Sequence, residues 1–217
     1  MKRYKNILSF GLMIGLLITY SCRETIVPSE KELTDYAWTL YEADDFSEAN
    51  QWFRDGFDKD SSYMDAYNGL AWSFGKLGFI DSAITYFELG KTLSWDESLT
   101  PGVNLDIFAG LTFANRAIGN DSLARVYGRS FFAAQDPVSS EPWIFPHNSL
   151  MNHLDVRLSL ASAYFSLAKF DSCVTEVRTI HSGLAITKTF APDINTVLGQ
   201  DELVKELETL QDLLLIQ

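Results

Sequence analysis

The chain has 217 residues, 47% of them hydrophobic, and sets 29 Asp+Glu against 17 Lys+Arg for a formal net charge of −12. That balance argues against nucleic-acid binding, because phosphate contacts draw on a basic face. With only two cysteines, no disulfide framework can hold the fold, so an apolar core must, and the length is ample for one.

The first element is a leader. Lys2, Arg3 and Lys5 precede the apolar run Ile7 to Tyr20, a basic start and short apolar core that read as a signal peptide over residues 1–21. The run is shorter than the ~20 apolar residues of a spanning helix, and no stop-transfer charges follow it. It ends at "ITYSC", which resembles the lipobox of bacterial lipoproteins. Ser21 and Cys22 match, while Thr19 and Tyr20 depart from the usual leucine and small residue. The resemblance implies lipidation at Cys22 and a short tether over 22–28; two or more chains suffice for stable anchoring. Simple cleavage near Ser21, giving a soluble secreted protein, is the alternative. Loss of 1–21 removes three cations and no carboxylate, moving the charge from −12 to −15. Anionic headgroups would then repel the domain, and the lipid alone would hold it to a membrane. Arg23 is not the aspartate that retains lipoproteins in some inner membranes, which favours the outer membrane.

The next signal is a helix start. Ser29 followed by Glu32, with Pro28 just before, forms a capping box. From there the sequence matches itself at a shift of 34: Ala37 with Ala71, Leu40 with Phe74, Phe46 with Ile80, Ala49 with Ala83, Phe53 with Phe87, Gly56 with Gly90. A weaker copy carries Phe108, Leu111, Gly119 and Ala124, but has Asn115, Asp121 and Gly128 where large apolar residues are expected. A fourth restores the pattern with Leu160, Ala161, Tyr164, Phe170 and Cys173. Cys173 stands where Ala49 and Ala83 stand, which marks it as a small core residue and not a reactive thiol. The predicted units are 29–61, 62–95, 104–136 and 152–184, with a C-terminal segment at 185–217. There, Leu203, Leu207, Leu210 and Leu214 share one helical face opposite carboxylates, as a capping helix requires.

Tyr67, Leu70, Ala71, Phe74, Gly78, Ala83, Phe87 and Gly90 resemble the signature of the tetratricopeptide repeat, a 34-residue helix–turn–helix unit. The family's terminal proline is absent; Ser61 and Trp95 stand there. The resemblance implies an all-α solenoid of about four hairpins. Ala71 and Ala83 let the two helices of a hairpin approach, Gly78 makes the turn, and Gly90 admits the next repeat. It also implies a concave groove lined by the first helix of each repeat, which binds extended peptides or helices of partner proteins. Trp38, Tyr41, Trp72 and Phe113 fall on that face. An aromatic ladder there suits an apolar or proline-containing segment. Between the third and fourth units, "PVSSEPWIFPHNSLM" brings Trp143, Ile144 and Phe145. This loop is either a further binding element or a filler of the groove, which tight superhelical curvature could also close. A carboxylate clamp is not expected, since Thr34 and Trp38 supply no cation.

Motifs for chemistry are lacking. Gly90-Lys91-Thr92 has Thr85 where a phosphate loop needs its first glycine. Asp58 and Asp60 have calcium-loop spacing without the central glycine or closing glutamate. His147, His153 and His181 have no zinc-site spacing. No catalytic residue, metal or cofactor is therefore expected. The expected function is a protein–protein interaction scaffold or assembly factor at the cell envelope, with a small-ligand or glycan-binding lipoprotein as the alternative. Lipoproteins that carry such repeats in outer-membrane assembly share this architecture. Partner identity and oligomeric state stay open.

Overall fold

The computed structural model describes residues 27–94, 102–135 and 142–215. The signal peptide at 1–21, Cys22 and the tether up to residue 26 lie outside the described residues, as does Trp95. The described residues form nine helices: α1 (Glu30–Glu42), α2 (Phe46–Lys59), α3 (Met64–Lys76), α4 (Ile80–Lys91), α5 (Val103–Ala117), α6 (Asp121–Ala134), α7 (His153–Ser166), α8 (Phe170–Gly183) and α9 (Val197–Leu215).

Local chemistry sets the helix ends. The Ser29 hydroxyl accepts the Glu32 N–H while the Glu32 carboxylate accepts the Ser29 N–H, so α1 opens on a complete capping box. Every hairpin turns through a left-handed residue at the same repeat position: Asp44, Gly78, Gly119 and Ala168. Glycine adopts that conformation freely, whereas Ala168 bears a cost of roughly 1–2 kcal/mol.

Successive hairpins stack in two layers. The first helices α1, α3, α5 and α7 touch one another along an inner layer, and α2, α4 and α6 each bridge two of them on the outside. The recurring small residues Ala37, Ala49, Ala71, Ala83, Ala124, Ala161 and Cys173 are all fully buried in the seams. Burial pushes the Cys173 thiol up to about 12, which suits an inert packing role. Between repeats, the rings of Phe53 and Phe87 press against glycines of the following helix. A Cβ on Gly69 or on Gly110 would sit 2.1 Å from the ring it faces.

Two details differ from the sequence expectation. A Cβ on Gly90 would meet Tyr67 of its own hairpin at 3.0 Å before Ile107 of the next at 3.3 Å, so this glycine serves contact within its repeat first. In the third repeat a glycine and a phenylalanine exchange places. Gly128 stands where Phe87 would recur and receives Leu160, while Phe131, at the position of Gly90, is the buried aromatic. Asn115 is buried there as well, its amide donating to the Leu111 carbonyl at 2.9 Å. The far end is closed by α9, which lies on α7 and α8 with Leu203, Leu210 and Leu214 buried.

Candidate partner-binding site

Each inner helix presents one residue at the same repeat position: Trp38, Trp72, Phe113 and Ser162. Trp38 is 4% exposed, Trp72 6% and the neighbouring Tyr41 2%, whereas Phe113 keeps an exposed edge. The first three are therefore not the open ladder their positions suggest. The chain covers them itself, and a glycan or small ligand has no exposed aromatic platform there.

The cover is a strap, residues 142–152. It folds back on itself, with the Phe145 N–H donating to the Met151 carbonyl at 2.9 Å and the His153 N–H to the Trp143 carbonyl at 3.0 Å. Asn152 caps α7 through its side chain, and Asp155 completes that capping box. Phe145 is fully buried, its ring 4.4 Å from Trp72, 6.1 Å from Trp38 and 6.3 Å from Tyr41 between centroids. Trp143 is buried beside Phe131, and His147 stacks on Trp38 at 3.6 Å. Of the two options open for this loop, filling the groove is the one the structure adopts.

Acidic side chains lie beneath the strap. Trp143 donates its indole N–H to Asp106 at 2.8 Å, and Trp38 donates to Asp65 at 3.0 Å. Asn68 donates to Asp65 at 3.3 Å. Burial pushes the Asp106 carboxyl well above the usual range; Trp143 and Asn68 oppose that shift and the Asp65 charge adds to it. Burial likewise raises Asp65. Sequence reasoning missed Asp65, Asn68, Asp106 and His147. A signal was available, because Asp65, Asp106 and Asp155 recur at one repeat position in the first turns of α3, α5 and α7. Acidic residues there ordinarily serve an exposed helix start; here the strap buries one of them, Asp106, under Trp143, while Asp65 and Asp155 stay half-buried.

Beyond the strap the inner face opens. A cleft of about 620 Å³ lies between α5, the strap, α7 and α9. Phe113, Met151, Leu158 and Leu214 give it apolar walls, and Asp155, Ser159, Ser162 and Gln211 give it polar ones. A narrower apolar groove of about 190 Å³ runs from it toward Trp72, sharing Phe113, Ala117 and Met151. The volume and mixed lining suit a protein segment with one or two apolar side chains. Among the described residues, no group of three or more His, Cys, Asp or Glu is placed to hold a metal ion. Nor is any described helix long and apolar enough to cross a membrane.

No protein-family model and no curated protein matches the chain. Solved structures do. YrrB, described as a tetratricopeptide-repeat protein with an unusual peptide-binding site, superposes with a TM-score of 0.59 at 12% identity, over 91% of this chain and 92% of its own. The Cut9–Hcn1 hetero-tetramer of the APC/C gives 0.59 at 14% identity over 93% of this chain, which spans 36% of the matched chain. MamA gives 0.54 at 14% identity, over 85% of this chain and 91% of its own. Hairpins stacked in two layers, small residues in the seams and these likenesses agree: the chain has the tetratricopeptide-repeat fold.

Proposed function

We propose that the protein is an interaction scaffold or assembly factor of the cell envelope that binds a partner segment in the cleft between α5, the strap, α7 and α9. The observation that carries this reading is the cleft itself, a stretch of inner face among the described residues that the strap leaves open while its wall remains partly apolar. YrrB is described by its peptide-binding site and Cut9 by its assembly with Hcn1, and both uses of the fold support a protein partner here. Export and anchoring rest on the leader and on Cys22.

Ser162 is half-buried on the cleft floor, so Ser162→Trp plugs the site. Crosslinking in native envelopes should recover a partner with wild-type protein and with the outer-face variant Leu123→Glu, and lose it with Ser162→Trp. Equal recovery with all three would overturn the cleft as the site. Metabolic labelling with palmitate should mark the wild type and not Cys22→Ala; an unlabelled wild type rules out the anchor.

A further inference from the structure

The strap rests on carboxylates as well as on rings. Asp106, 2% exposed, accepts the Trp143 indole N–H. Asn68, fully buried, donates to Asp65, which also accepts from Trp38 and whose charge bears on Asp106. The charges that face this group are few. Asp35 on α1 adds a like charge toward Asp65 and is paired at 2.7 Å with Lys31, whose own charge also bears on Asp65, as does that of Tyr63 just before α3. From the strap, the His147 ring lies against Trp38, faces Asp65 and meets Glu42 of α1 at 2.8 Å. Among the described residues no lysine or arginine pairs with Asp65 or Asp106.

A buried carboxylate beside a half-buried one, with no lysine or arginine in contact with either, does not ionise readily while its neighbour is charged. We infer that the Asp65–Asn68–Asp106 cluster makes the seat of the strap pH-responsive: the strap is held while the carboxylate pair keeps a proton and loosens when both ionise.

The sign follows from the raised carboxyls. Their stabilising contribution is fully present below the value of a free carboxyl and is lost as pH rises through the raised one. Asn148, Leu150 and Met151 belong to the strap and also line the cleft, so the seat of the strap sets the shape of the proposed binding site. That consequence rests on the reading above; the test of the strap does not.

The test is a titration of the full chain from about pH 5 to about pH 9, where upward-shifted buried carboxyls titrate. It is read by near-ultraviolet circular dichroism and by acrylamide quenching of tryptophan. The wild type should show a reversible loss of near-ultraviolet signal and a rise in quenching on the alkaline side, with the helical far-ultraviolet signal unchanged. Asp106→Asn, which places an amide where the protonated acid stood, should abolish the transition, and Asp65→Asn should do the same if Asp106→Asn does not fold. A flat wild-type profile, or a transition that persists in both asparagine variants and disappears only in His147→Gln, overturns the inference.

Discussion

Under α1 and α3 the inner face is closed, with Trp38, Tyr41 and Trp72 buried against Phe145, whereas between α5, α7 and α9 it holds an open cleft. The two regions are built from the same repeat position, occupied in turn by Trp38, Trp72, Phe113 and Ser162. Large rings meet a strap that matches them, the ring at the boundary is half-buried, and the small residue floors the cleft. A solenoid groove is thus core or surface according to what one recurring position carries and whether an insertion reaches back to cover it.

Removing the anchor of the closed half should have the largest effect. Phe145→Ala takes a fully buried ring out of the aromatic box and should cost about 3–5 kcal/mol of stability. Chemical denaturation measures this, and a loss well under about 1 kcal/mol would mean that the strap is a loose cover. Next is the seam beneath it. Ala83 is fully buried, with its Cβ 4.0 Å from the position a Cβ on Gly75 would take, so Ala83→Leu should overpack the hairpin by about 1–3 kcal/mol. Unchanged thermal stability would refute the alignment of the repeats. The smallest stability effect belongs to the open half. Ser162→Trp fills the cleft from a half-buried site and should stay within about 0.5 kcal/mol of wild type, so that any loss of partner reports occupancy and not unfolding.

Much of the architecture was legible in the sequence because it is local. The capping box at Ser29, the left-handed turn at Gly78 and the leucine face of α9 each depend on residues within a few turns of each other, and the shift of 34 repeats such local patterns along the chain. The third repeat was harder to read, since position-by-position matching marks Gly128 as a defect and does not register that Phe131 compensates for it. The strap was less legible still. Its aromatic residues stood out, but whether they bind a partner or fill the groove depends on where a loop lands, which no repeat period encodes. Asp106 was hidden for the same reason, since the Trp143 that covers it lies 37 residues further along the chain, and Asp65 owes its place to Trp38, 27 residues before it.

The strap also changes what kind of chain this is. A plain repeat array contacts only its neighbours and can unzip from an end, one unit at a time. Here His147 meets Glu42 across 105 residues of sequence, and Phe145 leans on rings from both α1 and α3. Fraying of the first hairpin therefore unseats a segment rooted at the start of the fourth. Distant units are coupled into one cooperative transition, with slower folding as the consequence, because a long loop must close before those contacts can form.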